Sequence, residues 1–305
     1  MESTISTGTG ANAAASNYYG ASLTMRALRF ALGAAQRAWP ALGVRAAYRL
    51  FGTPLPLKWS NRRHGHGPGP GWRRESWAFE DANVSVYMPV VMAADTPRVL
   101  LVHGWGGHAG QMLALAQAVA AEGFTPVLLE MPAHGRSAGT ASNLPQFARA
   151  IDYVAARLVQ QGAILQAVVA HSLGANALAY AASRSLPVQS LVLLAPPASP
   201  HAFTRYFAHV FGLSERTRAA MQRRVEAREG ILMPHLEPAV VGPRIAQPTL
   251  VVHDREDRVN RFADGVAYRD AIAGARLIAT EGLGHRRILK EPSVLQEVAA
   301  FIVRP

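Results

Sequence analysis

The chain has 305 residues, of which 50% are hydrophobic and 17% are charged. This balance excludes a disordered or collagen-like protein and is sufficient for a large buried core. Cysteine is absent. Disulfides, thiol nucleophiles and thiolate metal sites are therefore excluded, and the redox environment stays undetermined.

The net charge of +11 is concentrated at the N-terminal end. Residues 1–75 carry ten basic and two acidic side chains, whereas the rest of the chain is close to balanced, with 21 basic and 18 acidic. One interpretation is electrostatic attachment to an anionic membrane or to nucleic acid. The other, which we prefer, is a solvated arginine-rich segment with no specific nucleic-acid partner.

Residues 1–20 are rich in Ser, Thr, Ala, Gly and Asn, which is typical of disordered chain. No Lys or Arg precedes an apolar run there, so a secretory signal is not indicated and a cytoplasmic location is the default expectation. Residues 22–50 alternate apolar residues with five arginines and predict two short amphipathic helices interrupted at Trp39 and Pro40. Arginines interrupt the apolar residues of these helices too often for either helix to span a bilayer. They either lie on a membrane surface as a peripheral contact or pack on the body of the protein, and we prefer packing.

Glycine and proline dominate residues 61–71, which predict a linker. The chain thus divides into a basic, partly disordered N-terminal segment, 1–71, and an organised domain, 72–305. His64 and His66 lie in the linker without a matching carboxylate or third histidine, so we expect no metal site.

From Trp72 onward strand and helix patterns alternate, which predicts an α/β fold with a mostly parallel central sheet and helices on both faces. A leading hairpin is expected at residues 75–79 and 84–89. Six apolar runs predict the remaining strands, at residues 99–103, 126–130, 167–171, 191–195, 249–253 and 276–280. Helical spacing predicts helices at residues 111–122, 146–159, 175–183, 262–273 and 294–303.

The alternation stops between residues 195 and 248, which predicts a helical cap insertion at about 197–247. Within it, Phe203, Phe207, Val210 and Phe211 form an apolar stripe at helical spacing, with Tyr206 beside them. The stripe could line an acyl pocket, but packing between the cap and the body is the preferred interpretation.

Ser172 falls at a sharp turn between a predicted strand and a predicted helix, within His171-Ser172-Leu173-Gly174. Small residues two before and two after such a serine allow a strained, closely packed turn that exposes the hydroxyl at a helix N-terminus. The alternative is a strand followed by a serine N-cap. The run resembles the Gly-x-Ser-x-Gly nucleophile elbow of the α/β-hydrolase superfamily, with Ala170 in place of the first glycine.

Two further segments are similar to motifs of the same superfamily. The predicted strand at residues 99–102 leads into His103-Gly104-Trp105, and the resemblance implies that the N–H groups of Trp105 and Leu173 form an oxyanion hole. It also implies that His103 braces this loop. Residues 131–137 resemble the Pro-Gly-His-Gly-x-Ser turn of the family, with alanine in place of the first glycine, and are expected to serve as scaffold.

The order of the remaining motifs also follows the superfamily, which places an acid and then a histidine downstream of the serine. The loop after the strand at residues 249–252 offers Asp257 as the catalytic acid, with Asp254 and Glu256 as competitors. His285, which follows Gly282 and Gly284 ahead of the last helix, is the candidate base.

The resemblance covers about residues 72–304 and implies a serine hydrolase with a cap insertion. Its expected substrate is a small-molecule ester, and carboxylesterase is the best single interpretation. No metal or organic cofactor is expected. An acyltransferase, a thioesterase or a C–C bond hydrolase would share every motif, and a non-catalytic hydrolase-fold binding protein is the alternative from another class. The residues that bind the substrate are not identified by the sequence.

Overall fold

The computed structural model describes residues 23–54, 67–92 and 95–305, which form two compact units. One unit contains the described residues up to Gly52 together with Ser199–His235, and the other contains Thr53–Ala198 and Leu236–Pro305. The segment predicted to be disordered, residues 1–20, lies outside the described residues. So does most of the predicted linker, including His64 and His66.

The larger unit is built on an eight-stranded sheet with the order β1-β2-β4-β3-β5-β6-β7-β8. The strands are β1 Trp72–Phe79, β2 Ala82–Pro89, β3 Arg98–Val102, β4 Thr125–Glu130, β5 Leu165–His171, β6 Ser190–Leu194, β7 Thr249–Asp254 and β8 Arg276–Thr280. β2 runs antiparallel to both β1 and β4, and all pairings among β3 to β8 are parallel. The predicted leading hairpin and mostly parallel sheet are therefore confirmed.

Eleven α-helices lie in the described part of the chain, nine of them at least nine residues long. They are α1 Leu23–Ala38, α2 Pro40–Phe51, α3 Leu113–Ala121, α4 Leu144–Gln160, α5 Leu173–Ala182, α6 Pro200–Phe211, α7 Glu215–Glu229, α8 Pro238–Val241, α9 Phe262–Ala271, α10 Gly284–Arg287 and α11 Pro292–Val303. No helix among the described residues is long and apolar enough to span a membrane.

Helices cover both faces of the sheet because both faces are apolar. Alternate strand residues such as Val99 and Leu101 belong to one core cluster with residues of α3 and α11. The residues between them, such as Leu100, are also fully buried. On the opposite side α5 contacts β5 and β6, and α9 contacts β7. Near-continuous apolar strands of this kind are typical of parallel sheets buried on both faces.

The register brings the carboxyl ends of the central strands to one edge of the sheet. Val102 of β3 pairs with Ala170 of β5, and Leu194 of β6 pairs with Val252 of β7. The loops that follow these strands therefore meet at this edge, where open parallel sheets bind their ligands. The segments that contain the predicted site residues are among them.

The smaller unit contains α1, α2, α6 and α7, and both predicted N-terminal helices are present, separated at Trp39. Its core includes Leu32 and Ala47 of the N-terminal helices together with Phe207 and Phe211 of α6. The rings of Phe207 and Phe211 lie 4.5 Å apart. Phe207 and Phe211 therefore serve in packing, which was the preferred interpretation of the apolar stripe. They pack against the N-terminal helices.

Sequence signals define the ends of α6 and α7. The hydroxyl oxygen of Ser199 accepts from the N–H of Ala202 at 3.2 Å, and that of Ser214 accepts from Thr217 at 3.2 Å. Each helix ends at a glycine with left-handed backbone, Gly212 at φ +65° being the first. A serine N-cap followed by a C-terminal glycine is the expected boundary pair for a stable helix.

Candidate active site

Ser172 lies in a strained turn between β5 and α5. Its φ of +54° and ψ of −126° are unusual for a residue with a side chain, a conformation that costs about 1–3 kcal/mol. The turn is held by a hydrogen bond of 2.8 Å from the Ser172 N–H to the carbonyl of Leu194 in β6. The hydroxyl is therefore fixed at the sheet edge and at the N-terminus of α5, and Ser172 is only 4% exposed.

Glycine is required where the loop after β3 contacts this turn. A Cβ atom on Gly104 would lie 2.7 Å from the Cβ of Ser172, and one on Gly174 would lie 2.6 Å from the carbonyl oxygen of His103. The backbones therefore meet directly. Ala170, where the superfamily pattern has glycine, lies inside β5 and is fully buried. Alanine is compatible with an extended strand residue, so this departure leaves the turn intact.

His285 links the serine to a carboxylate. Its Nε2 lies 3.0 Å from the Ser172 Oγ, and its Nδ1 lies 2.7 Å from Oδ2 of Asp257. An ionised carboxylate only accepts hydrogen bonds, so Nδ1 carries the proton and Nε2 can accept from the serine hydroxyl. A hydroxyl, an imidazole and a carboxylate in this order can transfer the hydroxyl proton to the imidazole.

Asp257 is buried but remains ionised because of the groups around it. Its Oδ1 accepts from the N–H groups of Val259 at 2.7 Å and Asn260 at 3.0 Å. Burial would raise the pKa of this carboxyl, but His253, His285 and the N–H of Val259 together hold the pKa well below its ordinary value. The carboxylate is thus charged and fixed in orientation against His285.

The two competing acids occupy other places. Asp254, at the end of β7, accepts from the hydroxyl of Thr280 at 2.7 Å and from the N–H of Leu283 at 3.0 Å. It therefore holds the loop that leads to His285. Glu256 has an exposed side chain. Of the three acids, Asp257 is the one with a hydrogen bond to His285.

The loop after β3 is supported by the turn at residues 131–137. His134 accepts from the N–H of Gly106 at 2.9 Å through Nε2, and its Nδ1 lies 2.9 Å from the carbonyl of Pro132. The ring of Trp105 lies edge-on to the His134 ring, 5.2 Å away. The N–H of Leu173 belongs to the first turn of α5, where backbone donors have no acceptor within the helix. The structure therefore brings the Trp105 loop and the start of α5 together at Ser172.

His103 connects the same loop to β4. Its Nδ1 lies 2.7 Å from the carbonyl of Gly104, and its Nε2 accepts from the N–H of Met131 at 3.1 Å. Burial lowers the pKa of His103 to about 3. A neutral imidazole with one donor and one acceptor matches both partners.

Comparisons with known proteins agree with this architecture. Residues 94–238 match the family model described as serine aminopeptidase, S33. A hydrolase from Pseudomonas aeruginosa is similar at 19% identity over 78% of this chain and 100% of its own, with a TM-score of 0.61. The chain has the α/β-hydrolase fold. The order of its sheet and its flanking helices are those of that fold.

Two other solved structures have the same fold as this α/β hydrolase. An esterase from Pyrococcus furiosus is 16% identical over 76% of this chain and 92% of its own, with a TM-score of 0.59. The thioesterase domain from the curacin biosynthetic pathway is 17% identical over 77% and 99%, with a TM-score of 0.54. No curated protein matches the sequence significantly.

Two residues that were not selected from the sequence approach the site. The Nε2 of His171 lies 2.9 Å from the carbonyl of His285, and the two rings are 4.6 Å apart. The side-chain amide of Asn260 donates to the carbonyl of Ala195 at 2.7 Å and lies 3.4 Å from the Ser172 Oγ. The position of His171 directly before the serine was the available signal. Asn260 had none.

Metal ligands do not cluster in the described part of this hydrolase. Among residues 23–54, 67–92 and 95–305 there is no group of three His, Cys, Asp or Glu side chains arranged to hold an ion. The histidines at the site instead bond to backbone groups or to Asp257.

Proposed function

We propose that this α/β hydrolase is a carboxylesterase that cleaves small-molecule esters through an acyl-serine intermediate on Ser172. The observation that supports the proposal is the hydrogen-bonded series from the Ser172 Oγ through His285 to Asp257, with distances of 3.0 Å and 2.7 Å. Its two contacts are short enough for proton transfer without rearrangement of the loops.

In the first half of the reaction, His285 removes the hydroxyl proton of Ser172 as the oxygen attacks the ester carbonyl. The N–H groups of Leu173 and Trp105 stabilise the oxyanion, a contribution of about 3–4 kcal/mol per donor in comparable enzymes. The tetrahedral intermediate then collapses, and the alcohol leaves with the proton from His285. The acyl group stays on the serine oxygen.

In the second half, water replaces the alcohol. His285 takes a proton from the water, and the resulting hydroxide attacks the acyl carbonyl. The carboxylic acid leaves and the proton returns to Ser172. Asp257, whose low pKa keeps it ionised, stabilises the imidazolium that forms in each half.

A serine at the elbow favours this chemistry over the reactions of hydrolase-fold enzymes that use a carboxylate nucleophile. The similar protein from Pyrococcus furiosus is an esterase. The thioesterase domain with the same fold makes a thioester the main competing substrate. Acyl transfer and C–C bond hydrolysis use the same residues, so the leaving group distinguishes the activities.

The test is hydrolysis of p-nitrophenyl esters from acetate to palmitate, with acyl-coenzyme A thioesters of the same chain lengths measured in parallel. We expect ester turnover that falls at least about 10³-fold in Ser172→Ala. Ser293→Ala, which removes an exposed serine hydroxyl on α11, should be as active as the wild type. Turnover of thioesters alone would replace the esterase proposal, and ester turnover that survives Ser172→Ala would contradict it.

A further inference from the structure

Three large apolar side chains are exposed in the N-terminal helices, one on α1, one on α2 and one at the residue between the two helices. The exposed fractions are 80% for Phe30, 67% for Trp39 and 54% for Leu42. Exposure of large apolar side chains to water is unfavourable. Several of them close together in the chain mark an interaction surface. We call the exposed side of these two helices, which contains the three residues, the N-terminal face.

The orientation of this face is fixed by the packing of the opposite side. Leu32 and Ala47 are buried against Phe207, Phe211 and Met221. On a helix of 3.6 residues per turn, Phe30 points away from Leu32, and Leu42 points away from Ala47. The exposed apolar residues therefore belong to ordered helices with one side already packed.

The charge of these helices is entirely positive. Residues 23–51 contain five arginines and no aspartate or glutamate. Arg26 and Arg37 share the side of α1 that presents Phe30, and Arg45 shares the side of α2 that presents Leu42, and all three arginines are exposed. Apolar and cationic groups thus alternate on the exposed side of each helix.

We propose that the N-terminal face docks on the surface of a lipid bilayer that contains anionic lipids. Aromatic and leucine side chains of an amphipathic helix enter the boundary between headgroups and acyl chains, while arginines on the same face bind the anionic headgroups. The long arginine side chains can reach the headgroups from helices that lie in the plane of the surface. The proposal is independent of the esterase activity.

The remaining exposed residues favour lipid over other partners. Among residues 25–38 of α1, the exposed positions other than the arginines and Phe30 are alanines, which offer methyl groups and no side-chain hydrogen bonds. They are Ala27, Ala31, Ala34 and Ala38. Recognition of nucleic acid normally adds polar side chains that contact sugars and bases. A second copy of the same face would oppose Arg26, Arg37 and Arg45 with the same three arginines, which is unfavourable.

The test is sedimentation of the full chain with vesicles of phosphatidylcholine alone and with vesicles that contain about 30% phosphatidylglycerol. We expect binding to the anionic vesicles and an affinity at least about tenfold lower for the double variant Phe30→Ser/Trp39→Ser. Arg26→Gln/Arg37→Gln/Arg45→Gln should lose the preference for phosphatidylglycerol. Circular dichroism checks that each variant retains the helical content and melting temperature of the wild type.

Two controls separate this proposal from other effects. Val91→Ser removes an apolar side chain that is 88% exposed elsewhere in the chain, and it should bind vesicles as the wild type does. Ser172→Ala should also bind normally, so loss of catalysis and loss of docking are distinguishable. Equal binding by the wild type and Phe30→Ser/Trp39→Ser would overturn the proposal.

Binding to other partners would overturn it as well. Wild-type protein that ignores both kinds of vesicle but binds a labelled single-stranded RNA would make the face a nucleic-acid surface. Wild-type protein that forms a dimer in light scattering, and becomes a monomer in Phe30→Ser/Trp39→Ser without any vesicle binding, would make it a self-association surface.

Discussion

His171 positions His285 through the backbone rather than through the imidazole that reacts. Its Nε2 lies 2.9 Å from the His285 carbonyl. Burial, followed by the nearby His285, lowers the pKa of His171 to about 3, so the ring stays neutral and Nε2 can carry the proton that it donates. The loop that places the candidate base beside Ser172 is therefore anchored by the residue that precedes the serine.

We predict that His171→Phe lowers kcat by about tenfold or more with little change in KM, because small displacements of a catalytic group are costly. His171→Gln retains a side-chain N–H donor and should recover most of the activity. Steady-state kinetics on the best ester substrate measure both effects. Full activity of His171→Phe would show that the hydrogen bond to the His285 carbonyl does not matter for turnover.

Ser172, Asp257 and His285 were selected because the segments that contain them resemble α/β-hydrolase motifs, and each segment follows a recognisable strand. The structure brings these three together. Asn260 could not be selected, because its role depends on the carbonyl of Ala195, which is 65 residues away in the chain. A contact of this kind follows from the three-dimensional packing of two loops and leaves no local pattern.

Among the helices and strands, a tight backbone contact joins the start of α5 to the loop after β3. A Cβ atom on Gly174 would lie 2.6 Å from the backbone oxygen of His103. Backbone cannot move aside as a flexible side chain can, so the two elements would have to separate. That separation would also move the loop of Trp105 away from Leu173.

We predict that Gly174→Ala lowers both the melting temperature and kcat, the latter by at least about tenfold. Gly33→Ala on α1 is the matched control, because its added Cβ would meet only the end of the Arg37 side chain, at 3.3 Å. An alanine inside a helix is more favourable than a glycine by roughly 0.5–1 kcal/mol. Gly33→Ala should therefore be slightly stabilised and fully active, and a Gly174→Ala variant that behaves the same way would contradict the packing argument.

The elements themselves were largely predictable because the sheet is apolar on both faces. Every strand run expected from residue 99 onward is a strand in the structure. Helix starts were less accurate: α11 begins at Pro292, two residues before the expected position. Proline is favourable in the first turn of a helix, a signal that the search for apolar periodicity did not use.

The partner of α6 was not predictable from periodicity. The sequence showed that Phe207 and Phe211 lie on one side of a helix, and a hydrophobic stripe does not specify what covers it. The structure pairs them with Leu32 and Ala47, more than 150 positions earlier in the chain. Long-range pairing of two amphipathic helices depends on complementary shapes that neither sequence segment contains by itself.

Buried histidines make the free energy of unfolding of the whole protein depend on pH. In the unfolded chain an imidazole binds a proton near pH 6.5, whereas His103 in the folded chain does so only near pH 3. Between these values the unfolded state binds more protons. The free energy of unfolding therefore falls as the pH falls, by about 1.4 kcal/mol per pH unit from this group.

We predict that His103→Gln, which cannot titrate, removes this contribution. The variant should be less stable than the wild type at pH 7, because the fit of the imidazole between Gly104 and Met131 is lost. The difference between the free energies of unfolding of the wild type and the variant should shrink by about 2–3 kcal/mol as the pH falls from 6.5 to 4.5. Urea unfolding at several pH values measures it, and a difference that is constant or grows as the pH falls would contradict the prediction.

The proposed reaction requires Ser172 to be the nucleophile of this α/β hydrolase. The most direct test is labelling with a fluorophosphonate probe, which forms a stable bond with an activated serine, followed by peptide mass spectrometry to locate the modified residue. We predict one modified site, Ser172, with labelling that is lost in Ser172→Ala and strongly slowed in His285→Ala. Folded protein that remains unlabelled, or that is labelled at another residue, would contradict it.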